Sequence, residues 1–283
     1  MRNLKKSLKI LAISSVALIS IKCQKEDINQ VDDSQTTEVS SETLAKLQGM
    51  GYDTTFKAPT LYENGVVVEG DIMISNEQID AFNFEKQAHG AILNCNKAKN
   101  IKVRNRLGNA IPLNVVKKAI GFWNRGTNRA VKFVLVNRNA DIDIVIDNRL
   151  REPGATAPPF RGIPNGDIEI NPNILTVAGK RLTNNQWAQV IAHELGHTLG
   201  LRHARRQDSP INQLTGATFV QIPGTPGFDG RSIMDVSKGI GASGSVENRV
   251  GISNADKKAI KALYGSGSNS RCNKRNLVFN DQL

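Results

Sequence analysis

Three of the chain's four histidines fall within one eleven-residue stretch, His193-Glu194-Leu195-Gly196-His197-Thr198-Leu199-Gly200-Leu201-Arg202-His203. On a helix, residues four apart share a face, so His193 and His197 can both direct a ring nitrogen at one zinc ion about 2.0–2.1 Å away. Gly200 can take the left-handed conformation that ends a helix and turns the chain, which brings His203 back toward the same point. Three neutral imidazoles leave a fourth position open, the layout of a catalytic rather than a structural zinc. Glu194 directly follows a ligand and lies beside the metal without binding it. It is placed to take a proton from a water whose pKa the metal has lowered to about 7, and to deliver that proton to a leaving amine. The metal would also polarise a scissile carbonyl and hold the oxyanion. One histidine alone would mean little. Three His, one Glu and two Gly at these offsets leave little room for coincidence.

The helix that carries the motif is expected over about residues 184–199, with Trp187, Ile191, Leu195 and Leu199 clustered on the face opposite the ligands. Upstream, residues 66–74 are β-rich, with Gly70-Asp71 as a bulge or kink. Ser75 and Gln78 form a capping box ahead of a helix over 79–93. A strand at 101–104 precedes a helix opened by Pro112, whose apolar residues Leu113, Val116, Ile120 and Trp123 are spaced by three, four and three. Strands are expected at 131–136 and 141–147, a Pro- and Gly-rich surface loop at 151–166, and a strand at 167–171. That last strand is expected at a sheet edge, where a peptide substrate would add as a further strand. Ser253 caps a final helix ending near Tyr264. No internal repeat is present.

The 283 residues suffice for one large or two modest domains, and 39% hydrophobic with 22% charged residues is an ordinary globular composition. The formal charge falls from +11 to +6 when Arg2, Lys5, Lys6, Lys9 and Lys22, all preceding Cys23, are set aside. The remaining cations are scattered and lack the interleaved aromatics of a nucleic-acid surface, so no nucleic-acid partner is expected. A basic start followed by the apolar run 10–21 has signal-peptide proportions and is too short to span a bilayer. The expected organisation is a signal peptide at 1–22, a flexible tether at 23–43, an N-terminal region and candidate prosegment at 44–98, a catalytic domain at 99–265 and a tail at 266–283.

The histidine motif matches HExxHxxGxxH, and Ser232-Ile233-Met234-Asp235 resembles the Met-turn; together they make the chain resemble the metzincin zinc metalloproteases. Within that group it is most similar to the bacterial dual-action HEIGH metallopeptidases, relatives of the matrixins. The supporting segments are Val68-Glu69-Gly70-Asp71-Ile72, Phe122-Trp123-Asn124, Ala140-Asp141-Ile142 and Ile222-Pro223-Gly224-Thr225-Pro226. The resemblance implies an α+β fold: a metzincin-like zincin with a twisted mixed sheet, an active-site helix and a C-terminal helix, preceded by a small N-terminal region. It implies a zinc-dependent endopeptidase with one catalytic Zn2+ on His193, His197 and His203, Glu194 as general base, and Met234 beneath the metal as a hydrophobic base. The chain departs from the group in reading His-Glu-Leu-Gly-His. Val236 stands where astacins and serralysins carry a tyrosine. His89 is the only histidine left over, so no second zinc is expected.

Cys23 sits where a bacterial lipoprotein would be lipidated, and Gln24-Lys25-Glu26-Asp27 resembles an export signal of Bacteroidetes surface lipoproteins, although Ser20, Ile21 and Lys22 do not match a lipobox. The protein is expected to be exported from a bacterial cell, as an outer-membrane or surface lipoprotein or else secreted. It is expected to be monomeric, to act on a protein or peptide, and to meet a membrane only through that anchor. An oxidising compartment favours pairing Cys95 with Cys272. The alternatives are Cys95 as a latency thiolate on the zinc, or Asp71 in that role. The competing functional reading is a surface lipoprotein that binds a partner on the same fold, or recognises polyanions through Arg202, Arg205 and Arg206.

Overall fold

The structure, a computed structural model, describes residues 38–55, 57–82, 92–176, 179–203, 222, 224–226, 228–236, 251–267 and 270–272. The signal-like start, Cys23, the tether up to residue 37, His89, Arg205, Arg206 and residues 273–283 lie outside them. Ser40 accepts a hydrogen bond from the Thr43 amide and opens helix α1 (Ser41–Gly49), so a helix takes over the last residues of the expected tether. Strands β1 (Thr60–Tyr62), β2 (Gly65–Val68) and β3 (Ile72–Ser75) then form an antiparallel meander. Val68 pairs with Ile72, so Glu69-Gly70-Asp71 is the turn of a hairpin rather than a bulge within one strand. The turn is made by left-handed φ values of 57° at Glu69 and 100° at Gly70.

The Ser75–Gln78 capping box is present and sets the start of helix α2 (Asn76–Ala81). That helix begins three residues before the one expected over 79–93 and ends where Phe82, buried and extended, leaves the helical region; residues 83–91 of the expectation lie outside the described residues. Leu47, Tyr52, Val66, Val68, Ile72, Ile74 and Ile79 close a small core belonging to this N-terminal region.

The larger body follows as α3 (Cys95–Ala98), β4 (Ile101–Asn105), α4 (Leu113–Gly126), β5 (Phe133–Leu135), β6 (Ile142–Ile146), β7 (Gly154–Thr156), β8 (Ile168–Ile170), α5 (Asn184–His197) and α6 (Asn254–Tyr264). All eight strands form one twisted mixed sheet in the order β1-β2-β3-β7-β8-β6-β4-β5. Neighbours among β4, β5, β6 and β8 are parallel, β7 is antiparallel to β8, and β3 joins β7 in parallel. Ile101, Val103, Ile142, Ile144, Ile168 and Ile170 turn inward onto α4 and α5. The indole N–H of Trp123 donates to the Ala192 carbonyl at 2.8 Å and ties the two helices together.

Two further expectations fail. Leu113 is 46% exposed, because the buried face of α4 begins at Val115 and Val116 once Pro112 has capped the first turn. More consequentially, β8 is not an edge strand. The segment 151–166, read as a loop, contributes β7, which pairs with β8 on one side while β6 pairs on the other. Both edges of β8 are satisfied, so a substrate cannot add to it.

Cys95 and Cys272 are disulfide-bonded, with 5.7 Å between their Cα atoms, and the bridge encloses the whole body. Polar contacts join the N-terminal region to that body. Lys57 pairs with Glu152 and Glu63 with Arg149. The Tyr62 hydroxyl meets both Asp147 and Glu169. Arg202 donates to the carbonyls of Gly51 (2.8 Å) and Met50 (2.9 Å) and lies 3.8 Å over the Tyr52 ring.

Candidate metal centre

Helix α5 starts from a complete capping box, Thr183 with Gln186, and buries Trp187, Ile191 and Leu195 in the core, which turns His193 and His197 toward the N-terminal region. Gly200 has φ 82°, and the Leu201 amide bonds back to the Gly196 carbonyl, closing the turn that returns His203 to the first two histidines. Gly196 is required for another reason: a Cβ there would lie 2.4 Å from the Met234 sulfur, so the turn carrying Met234 packs directly against the helix. Asp256 fixes that turn, accepting from the Ser232 hydroxyl and from the Ile233 amide (3.0 Å).

Each histidine is oriented through Nδ1. That atom donates to the Ile233 carbonyl from His193 (2.7 Å), to the Leu201 carbonyl from His197 (2.8 Å) and to the Glu69 carboxylate from His203 (2.9 Å). With the proton on Nδ1, each Nε2 presents a lone pair, and the three Nε2 atoms converge to 3.1–3.3 Å of one another. Asp71 completes the group, with carboxylate oxygens 3.0 Å from His203 Nε2, 3.3 Å from His193 Nε2 and 3.8 Å from His197 Nε2. With all three imidazoles neutral in that tautomer, four buried acceptors face one point, an arrangement that a cation satisfies. Four ligands about 2.0–2.1 Å from zinc in a tetrahedron lie about 3.3 Å apart, so the donor set and its spacing both fit zinc.

The electrostatics show a demand for positive charge at the same point. Burial, together with the neighbouring His193 and His203, presses His197 down to about 3, which keeps it neutral. Burial also opposes the charged form of His203, but the Asp71 and Glu69 carboxylates outweigh it and push His203 up to about 9. Burial acts to raise Asp71, yet His203 and His193 hold its carboxyl well below the usual range. Glu194 behaves oppositely: burial pushes it well above the usual range, and the charges of Asp71 and Glu152 add to the rise. Neither Glu194 oxygen finds a hydrogen-bond donor among the described residues. Gly154 of β7 abuts it so closely that a Cβ would sit 2.8 Å from Oε1.

The motif residues His193, Glu194, His197, Gly200, His203 and Met234 therefore come together. Asp71 joins them from more than a hundred residues away. Cys95 does not: it is in the disulfide, which removes the latency-thiolate alternative. Glu69 was visible only as a member of the Val68–Ile72 segment and Asp256 only as a first-turn acid of the helix that Ser253 caps, while Gly154 carried no signal; the contacts they make at the centre are tertiary. A surface groove of about 1010 Å³ lined by Lys99, Arg129, Lys258 and Lys261 shares no lining residue with the centre.

Residues 176–266, which include the three histidines, the Met234 turn and α6, match the family model described as Met-zincin. No curated protein matches the chain. Among solved structures it is similar to two of myroilysin. One is 18% identical with a TM-score of 0.38, covering 58% of this chain and 92% of that one. The other is 16% identical with a TM-score of 0.40, covering 59% and 84%. It is also similar to high choriolytic enzyme 1, a hatching enzyme zinc-protease from Oryzias latipes (Medaka fish), at 17% identity and a TM-score of 0.36, covering 62% and 94%. The site and the Met-zincin match together support a zinc metalloprotease of the metzincin kind. Among the described residues no helix is long and apolar enough to cross a membrane.

Proposed function

We propose that the chain is a zinc-dependent endopeptidase in which His193, His197 and His203 hold one zinc ion, Glu194 is the general base, and Asp71 keeps the intact chain latent. The observation that carries the reading is the convergence of three Nε2 atoms and one carboxylate beside a buried carboxyl that meets no hydrogen-bond donor among the described residues. Bound zinc would supply Lewis acidity toward a peptide carbonyl and toward water. Glu194, whose pKa burial has raised, would accept the proton of the attacking water and return it to the leaving amine. Met234 would support the ligand helix from below. The dual-action HEIGH affinity, export from a bacterial cell and a lipid anchor at Cys23 belong to the same reading and rest on the sequence.

Latency has two supports. Asp71 stands where a fourth ligand would stand, and its carbonyl accepts from the Thr156 amide at 3.0 Å, so the acid is gripped at backbone and side chain. In addition, β3 fills the outer edge of β7, the strand next to Glu194. That edge is where a peptide would align once the N-terminal region has gone.

The test compares Glu194→Ala with His203→Ala by metal analysis and by turnover of a generic protein substrate. Glu194→Ala is expected to keep zinc and to lose about 10²–10⁴ in turnover, whereas His203→Ala loses zinc. Chelation should abolish activity, and zinc or cobalt should restore it. Equal zinc loss in the two variants would make Glu194 a ligand and overturn the assignment of roles.

A further inference from the structure

We infer that Glu69 is a positioning residue for the metal centre, so that the N-terminal region which covers the site also completes the support of one of its ligands. The inference rests on the zinc reading above and deepens it. His193 and His197 are oriented by carbonyls of the body itself, those of Ile233 and Leu201. His203 is not. Its Nδ1–H donates to Oε2 of Glu69, which lies in the β2–β3 turn of a region with its own separate core.

The carboxylate is held for that task. Its other oxygen accepts from the Asp53 amide at 2.8 Å, and Glu69 and Asp53 are only 3% and 2% exposed. Glu69 also stands at φ 57°, the left-handed region, which a residue with a Cβ occupies only when its surroundings over-determine it. A turn needing only left-handed geometry is served more easily by Gly or Asn. The three-residue turn therefore presents two acids to one histidine, Asp71 at the Nε2 side and Glu69 at the Nδ1 side.

A charged acceptor at Nδ1 fixes the ring's tautomer and direction and makes Nε2 a stronger donor to a metal than a carbonyl partner does. Zinc binding and docking of the N-terminal region then strengthen one another by the same factor, as linkage requires. When the region leaves, His203 loses the partner that orients it, and the body holds its metal less tightly than the intact chain.

The experiment measures zinc affinity of the full chain by competition with a chromophoric chelator, together with the absorption spectrum of the cobalt-substituted protein. The proteins compared are the parent, Glu69→Ala, Glu69→Gln and Tyr62→Phe. The last cuts a different contact between the same two regions. Glu69→Ala is expected to weaken zinc binding by about 10–100-fold, Glu69→Gln by less in the same direction, and Tyr62→Phe by less than about twofold. The cobalt spectrum should change in both Glu69 variants and stay unchanged in Tyr62→Phe. Glu69→Gln conserves volume and decides the matter if the alanine variant does not fold. Parent-like affinity and spectra in the Glu69 variants would overturn the inference. So would a loss in Tyr62→Phe as large as that in Glu69→Ala, because docking in general would then be the cause. A parent chain that takes up no zinc would overturn the zinc reading itself.

Discussion

The N-terminal region and the body meet at the metal centre, but they are held together by different forces. The body buries one continuous core between sheet and helices, from Ile101 and Trp123 to Leu263 and Tyr264, and a disulfide closes it. Among the described residues the N-terminal region has a core of seven buried residues and reaches the body through one parallel strand pair and a set of polar contacts made by Lys57, Tyr62, Glu63, Glu69 and Asp71 and by Arg202 of the body. Burial of apolar surface is non-directional and hard to undo piecemeal, whereas ion pairs and hydrogen bonds at a partly wet boundary are individually worth little. The latency proposed above uses that difference: the histidines stand on the part held by its own core and Asp71 on the part held mainly by polar contacts.

The largest expected effect separates the two regions by stability. The Cys95–Cys272 bridge closes a loop over a sequence separation of 177 residues that leaves α1, β1 to β3 and α2 outside it. Cys272→Ser should cost the body about 4–5 kcal/mol by the chain-entropy argument. Denaturant unfolding followed by Trp123 and Trp187 fluorescence reads this directly. If the midpoint does not move, the bridge is not what distinguishes the body.

Next comes the blocking acid. Asp71→Ala in the intact chain removes the fourth donor but leaves β3 on β7, so activity on a small peptide should rise on the order of tenfold. Unchanged activity would assign the blocking to strand occupancy alone. Tyr62→Phe should have a smaller effect, since its hydroxyl is one anchor among several. Loss of hydrogen bonds to two carboxylates at a partly exposed site is worth about 1 kcal/mol. The amides of β1 and β2 should then exchange with solvent a few-fold faster while those of β4 and β6 are unaffected. Equal acceleration in both would mean that the regions do not open separately.

The same division governs what could be read from sequence. The body's ligands were legible because they are local: a period of 3.6 puts His193 and His197 together, and one left-handed Gly200 brings in His203. The fold class followed from that motif and the Met234 turn. What stayed hidden depends on partners distant in sequence. Strand β7 is Gly154-Ala155-Thr156 inside a Pro- and Gly-rich stretch, and only pairing with β3 and β8 makes it a strand. Missing it put β8 at the edge. Asp71 entered only as the alternative to Cys95 for the fourth position, and Glu69 only as a member of the Val68–Ile72 segment, read as β with a bulge or kink. Neither has a periodicity that points to histidines more than a hundred residues downstream.

The smallest expected effect is a pH dependence at the boundary between the regions. Asp147 and Glu169 share the Tyr62 hydroxyl but are driven in opposite directions. The Arg149 guanidinium, helped by Tyr62 and opposed by burial, holds Asp147 well below the usual carboxylate range. Burial first, with the charges of Asp147 and Glu63 adding and Tyr62 opposing, raises Glu169. A carboxyl depressed on folding stabilises the fold above its unfolded pKa, about 3.9, and that contribution is lost as pH falls through the lower folded value. A carboxyl raised on folding does the reverse. It costs nothing below its unfolded pKa, about 4.3, and becomes destabilising as pH rises through the higher folded value. Glu169→Gln removes that second group while keeping an acceptor for Tyr62. The variant should therefore melt about 1–2 °C higher than the parent at pH 7. The advantage should shrink through the weakly acidic range and vanish near pH 4, where the parent's Glu169 is already protonated. Asp147 still supports both proteins there, so they should lose stability together on further acidification. Thermal melting at pH 7, 5.5 and 4 checks the sign. An advantage that persists at pH 4, or a variant that melts lower at pH 7, would show that the Glu169 carboxylate anchors the N-terminal region rather than straining its attachment.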